Sequence, residues 1–236
     1  LGRRRLAKLV KPLTVERPGG SIRDTFATRV GNGLALAAQN AIGNADPANI
    51  LLDWRPITAV VALRAEFFEN ANSIALARSA AKAAGDELGL FLIVRDLPNR
   101  RKQAKLPLRA RPGLAEVLEL ATPETSREGV VVSASDALVR LAVPEDPYDY
   151  GVPALDSAGK IAGISIKVEI EGERSRAVLL SPPLLDDLLR TALRRWKKVD
   201  ELIHAAFDTR HTNRLHPAEI QRAPAEEGVR VTAAGL

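Results

Sequence analysis

Short apolar runs recur along this chain at 57–68, 88–94, 130–133, 138–143, 161–168 and 177–180, and turn-forming residues bound them. Runs of this kind predict strands, and many short strands at such spacing predict a mainly β barrel or sandwich. A further alternating segment, 26–36, carries Gly31 and Gly33 inside a strand-like pattern, which predicts a tight bend or bulge. One stretch resists this reading. In ALARSAAKAAGDELGLFLIV, residues 75–84 are helix-prone by propensity alone, which is a weak prior when tertiary packing competes.

One helix stands out by its period. After Ser181, a candidate cap, come two prolines and Asp186-Asp187 in the first turn. Leu184, Leu185, Leu188, Leu189, Ala192, Leu193, Trp196, Val199, Ile203, Ala206 and Phe207 then follow a 3.6-residue repeat. The opposite face carries Arg190, Arg194, Arg195, Lys197 and Lys198, a pattern that is most often a solvated surface.

Composition narrows the function classes. The 236 residues suit one large or two small domains, and 46% hydrophobic content supplies a real core. The absence of cysteine removes disulfides, thiolate zinc sites and a cysteine nucleophile together. No apolar run approaches the roughly 18 residues of a membrane span, so none is expected. The absence of methionine predicts a fragment or a processed chain. A net charge of +5 invites a nucleic-acid partner, but aromatic residues for base stacking are only 4% and no binding signature follows the basic residues Arg3, Arg4, Arg5, Lys8 and Lys11. A solvated basic arm over residues 1–20, with no nucleic acid, is the expectation.

Searches for chemistry by motif fail. Gly31-Asn32-Gly33 lacks the lysine and hydroxyl residue of a phosphate loop. The hydroxyls of Ser133, Ser135, Ser157 and Ser165 have no basic partner assignable from sequence, and Asp149 and Asp156 read as turn residues beside glycine. His204 rides the long helix while His211 and His216 lie in a polar linker, with no carboxylate at helical spacing to complete a zinc-type site. No metal and no cofactor are expected.

A different pattern emerges from the order of several weak motifs. Gly31-Asn32-Gly33 comes first, then Leu36-Ala37-Ala38-Gln39-Asn40-Ala41-Ile42-Gly43-Asn44-Ala45-Asp46, then Glu66-Phe67-Phe68-Glu69-Asn70. Asp86-Glu87-Leu88-Gly89-Leu90-Phe91-Leu92-Ile93 follows, then Tyr148-Asp149-Tyr150-Gly151-Val152-Pro153 with a turn and a strand ending Gly163-Ile164, and last Val178-Leu179-Leu180-Ser181-Pro182. This order over about residues 26–195 resembles trypsin-like serine proteases of the HtrA type. The likeness implies a trypsin-like double β-barrel at 21–182, mainly β, with a long C-terminal amphipathic helix at 183–208. It also implies that residues 57 to 94 form antiparallel strands of the first barrel, with a hairpin at 66–70, rather than a long helix over 75–84. If the chain follows the family, its compartment is the cell envelope or periplasm.

The departures from the family fall on the chemistry. Asn40 matches the base and Tyr150 the nucleophile. Asp86 or Glu87 is left for the acid, and Tyr148 and Gly151 match the oxyanion loop, where the family has glycine in place of Tyr148. A serine attacks a carbonyl only when an imidazole takes its proton and backbone N–H groups hold the oxyanion. An asparagine amide has no useful basicity, and a phenol with pKa near 10 is a poor nucleophile at neutrality. The resemblance therefore implies a degenerate homologue with no intact triad, whose work is binding a protein or peptide partner or scaffolding an assembly. An active hydrolase with an unrecognised nucleophile and an α/β binding domain of unknown role are the alternatives; oligomeric state is left open. The tail adds a second likeness. Within 209–236, Ala223-Pro224-Ala225-Glu226-Glu227-Gly228-Val229-Arg230-Val231-Thr232 and Ala234-Gly235-Leu236 resemble the opening of a PDZ domain after a linker.

Overall fold

The computed structural model describes residues 3–31, 33–65, 68, 70–84, 89–94, 106–144, 150–171, 174–194 and 229–231. Helix α1 (Arg3–Leu9) leads into β1 (Val10–Glu16), β2 (Ile22–Gly31) and β3 (Leu34–Ala38). The short helix α2 (Gln39–Ile42) and a 3-10 turn at Pro47–Asn49 follow, then β4 (Ile50–Leu52), β5 (Arg55–Pro56), β6 (Ala59–Ala62), helix α3 (Ala71–Ala84) and β7 (Leu90–Val94). The second half holds β8 (Val117–Ala121), β9 (Ser126–Ala134), β10 (Leu138–Val143), β11 (Pro153–Leu155), β12 (Ile161–Glu171) and β13 (Arg174–Leu180). Helix α4 (Pro182–Arg194) and β14 (Val229–Val231) end the described elements.

The strands form two sheets. The first has eight strands in the order β14-β6-β7-β3-β2-β1-β4-β5, and the second is a closed barrel, β10-β13-β12-β11-β8-β9. Leu13 of β1, Ala35 of β3, Ile50 of β4, Val60 of β6 and Phe91 of β7 share one buried cluster, although β4 and β6 lie far apart in the sheet order. Only a sheet that curls round its own core can bring them together, so the first sheet is a half-barrel. The molecule is thus mainly β, with the trypsin-like pair of barrels that the motif order implied. In the second barrel, bulges at Arg140/Leu141, Ala154/Leu155 and Ser165/Lys167 supply the bending that closure needs.

A further cluster joins the two sheets. Leu34 and Leu36 alternate with Ala35 and Ala37, so β3 is apolar on both faces, and β6 and β7 are buried throughout. Such strands need cover outside as well as in. Ala77 and Ala80 of α3 and Leu184, Leu185 and Leu188 of α4 provide it, together with Ile164, Ile166, Val178 and Leu180 of the second barrel.

This packing overturns the expectation for 57–94. Strands stand at β6 and β7, but α3 covers 71–84, a helix of nearly four turns over the segment expected to be extended. Propensity and packing agree there. The alanine-rich sequence favours helix, and its small Ala77 and Ala80 allow close approach to the apolar strands. Nor is Asn70 part of a hairpin. Its Oδ1 accepts from the Asn72 N–H at 2.8 Å and its carbonyl from the Ile74 N–H at 2.9 Å, so it caps α3.

The boundary of the N-terminal arm also moves. Residues 10–16, grouped with the basic arm, are a strand within the first sheet, pairing with β2 and β4 and burying Val10, Leu13 and Val15. The expected helix forms from Pro182, which puts Asp186 and Asp187 in its second turn rather than the first, and it buries Leu184, Leu185, Leu188 and Leu189; residues 195–208 lie outside the described residues. The Ser181 hydroxyl does not cap α4; it donates to the Asp136 carbonyl and ties the helix start to the β9–β10 turn. Of residues 209–236, the described 229–231 form β14 at the edge of the first sheet.

Candidate functional site at the junction of the barrels

After β3 the backbone turns at Ala38 (φ −71°, ψ 143°) into α2, whose first N–H, on Gln39, donates to the Gly89 carbonyl at 2.7 Å. Ala41 and Ile42 are buried, which leaves Asn40 on the exposed side. The Asn40 carbonyl accepts from Arg17 Nη2 at 2.6 Å and from Arg23 Nη1 at 3.0 Å. Arg17 and Arg23 reach it from the two arms of the β1–β2 hairpin, where Arg17 N–H donates to Ser21 and Val15 stands opposite Arg23.

From the second barrel, the segment entering β11 meets the same hairpin. Gly151 has φ +79°, and an added Cβ would lie 2.8 Å from the Phe26 carbonyl and 3.3 Å from the Ala38 nitrogen. Only glycine fits so close to the first barrel at that backbone angle. The Gly151 N–H donates to the Ser165 carbonyl at 2.9 Å, and its carbonyl accepts from the buried Thr28 hydroxyl at 2.6 Å. Ser165 completes the lock: its Oγ accepts from the Val152 N–H at 3.1 Å. Its N–H donates to the Val152 carbonyl at 2.9 Å.

Tyr150 therefore leans across the junction. Its half-buried side chain packs on the first-barrel core, and the Arg23 guanidinium carbon stands 5.3 Å from its ring centroid, within cation–π range. Arg23 thus touches both Asn40 and Tyr150. Asp86, Glu87, Tyr148, Asp149 and all three histidines lie outside the described residues. Asp156 is a turn residue: its Oδ1 accepts from Ala158 and Lys160 N–H groups at 3.0 and 2.8 Å, and its Oδ2 pairs with Arg109 at 3.3 Å. Ser135 likewise serves a turn, its Oγ donating to the Leu138 carbonyl at 3.1 Å and accepting from the Leu138 N–H at 3.0 Å. Among the described residues no cluster of three acidic or histidine side chains could hold a metal.

Sequence reasoning missed Arg17 and Arg23. Both flank the Pro18-Gly19-Gly20 turn, but nothing in the spacing indicates that this hairpin reaches residue 40. Chemically, two cations beside one position oppose the gain of a further positive charge there, as a general base must accept.

No protein-family model matches the chain, and no curated protein matches it in sequence. Solved structures do. The active form of the Rv3671c protease from M. tuberculosis superposes with a TM-score of 0.53 at 9% identity, covering 80% of this chain and 82% of that one. Catalytically active tobacco etch virus protease in complex with product gives 0.52 at 10% identity, with 80% of each chain covered. The scabies mite inactivated protease paralogue S-I1 gives 0.51 at 12% identity, covering 80% of this chain and 96% of that one. At such identities the likeness establishes the fold, which is that of the chymotrypsin-like proteases.

Proposed function

We propose that this chain is a non-catalytic serine-protease homologue, degenerate within the HtrA type, that binds protein or peptide segments or scaffolds an assembly at the junction of its barrels. The observation that carries the reading is the pair Asn40 and Tyr150, the residues matching base and nucleophile, joined through Arg23. An amide and a phenol supply neither basicity nor a reactive hydroxyl at neutral pH. The guanidinium groups of Arg17 and Arg23 add an electrostatic reason, since a base beside them would be poorer. That the same fold is carried both by active proteases and by a paralogue described as inactivated is compatible with this reading.

The test has two parts. Incubation with serine-directed phosphonates and a broad library of quenched peptides is expected to give neither adduct nor cleavage. Fluorescence polarisation with labelled extended peptides is expected to find ligands whose affinity falls on Tyr150→Ala while circular dichroism is unchanged. A covalent adduct that disappears on mutating the labelled residue would overturn the proposal in favour of an active hydrolase.

A further inference from the structure

The first sheet ends on a borrowed strand. β6 pairs with β7 along one edge and with β14 along the other, in the antiparallel register Val229↔Val61, Arg230↔Val60 and Val231↔Ala59. Without β14, the edge of a wholly apolar strand would carry unpaired backbone groups, a template for any extended chain. Residues 195–228 separate this strand from α4 in the sequence, so it reaches β6 from far along the chain.

Its side chains divide between the two faces of the sheet. Val231 is buried in the cluster that holds Ala59 and Val61. Arg230 turns the other way, with Nη1 donating to the Ala45 carbonyl at 2.6 Å and its guanidinium carbon 5.2 Å from the Phe91 ring centroid. Its Nη2 is buried and makes no hydrogen bond among the described residues. Burial lowers the Arg230 pKa, against the favourable field of Asp46. A cation is thus held by an aromatic face, a carbonyl and a nearby carboxylate, with one donor left over.

We propose that the edge of β6 that β14 covers, with the Phe91, Ala45 and Asp46 pocket, is a strand-addition site for extended peptides that place an arginine between β-branched residues, and that Val229–Val231 is its internal occupant. Main-chain pairing supplies affinity and the cation pocket supplies selectivity. The leftover Nη2 donor makes the resident strand an imperfect ligand. Tethering compensates for that by holding it at about millimolar effective concentration. Ala45 and Phe91 belong to the cluster on which Tyr150 packs, but the pairing edge is that of β6, and the inference does not depend on the function proposed above.

The probe is a labelled peptide spanning residues 224–236, added to the full chain. Weakening the resident strand by Arg230→Glu is expected to raise peptide affinity at least about tenfold over the unaltered chain, because the tethered competitor is lost. Arg230→Lys keeps the cation and is expected to stay near the unaltered chain. A peptide carrying glutamate in place of its arginine is expected not to bind either. Equal binding of the two peptides, or none to a folded Arg230→Glu chain, would overturn the proposal. Should that variant not fold, a protease site inserted at 209–216 gives a second route. After cutting, the labelled peptide is expected to replace the released fragment; a fragment that never leaves, or leaves without replacement, overturns exchange at this edge.

Discussion

Arg23 and Tyr150 stack across the boundary between the two barrels, the guanidinium carbon 5.3 Å from the ring centroid. The same guanidinium donates to the Asn40 carbonyl at 3.0 Å, so one side chain from β2 spans both elements of the junction. Replacing it by alanine removes a cation–π contact of about 0.5–1 kcal/mol and a hydrogen bond of about 1 kcal/mol. Arg23→Ala is therefore expected to lower unfolding stability by about 1–2 kcal/mol in urea titrations.

Gly151 is held more tightly still. At φ +79°, with the Phe26 carbonyl 2.8 Å from where a Cβ would sit, Gly151→Ala meets both backbone strain and a clash with a strand that cannot recede alone. A loss of more than about 2 kcal/mol is expected, since left-handed strain alone accounts for about 1–2 kcal/mol. Chemical denaturation measures it, and a loss below about 0.5 kcal/mol would show that the two barrels part easily here.

The hairpin joining β4 to β5 makes the opposite prediction. Asp53 and Trp54 both have positive φ, 54° and 62°, in a two-residue turn whose second position favours glycine. Trp54 is 70% exposed and has little packing to lose. Trp54→Gly is expected to raise stability by about 1 kcal/mol, read as a melting temperature higher by about 2–4 °C.

How much of this was legible beforehand differs by element. Strands β9, β10, β12 and β13 lie between clear turn signals, so sequence sufficed for them, whereas β8 and β11, short and without a bounded apolar run, were not legible. Helix α3 was readable from alanine propensity and was overridden by a family expectation for the strand at 86–93. The continuous apolar runs at β3, β6 and β7 held the missing clue, because strands buried on both faces require a covering layer. Strand β1 was hidden by the basic residues before it. At the junction, Asn40, Tyr150 and Gly151 were singled out by motif order. Arg17 and Arg23 were not, because their meeting with Asn40 depends on how the hairpin packs.

Acid should loosen the second barrel through Glu169. Partial burial raises its pKa, but hydrogen bonds from Arg140 and Lys167 outweigh that and leave the carboxyl below its usual range. The folded pKa lies below the unfolded one, so folding releases protons and stability rises with pH. The contribution is complete above the unfolded value of about 4.3 and is lost as pH falls through the folded value. Glu169→Gln is expected to cost less than about 1 kcal/mol at pH 7, the difference from the unaltered chain shrinking towards pH 3. A difference that grows on acidification would reverse the assignment.

The sharpest test of the junction is to rebuild what its resemblance lacks. Asn40→His, Tyr150→Ser and Tyr148→Gly together supply a base, a nucleophile and the glycine that an oxyanion loop favours. Residue 40 nevertheless keeps its backbone carbonyl, and with it Arg17 and Arg23. Two guanidinium groups disfavour the imidazolium, so the new histidine should titrate below its ordinary value of about 6.5. Its rate profile would then keep a low-lying acid limb, while a weakened base holds the plateau down. Adding Arg23→Ala to the triple variant relieves one of these charges. The expected outcome is a faster plateau together with an acid limb shifted to higher pH, measured on an activated ester. A plateau that rises without any shift in the limb would mean that Arg23 acts by obstruction and not through its charge.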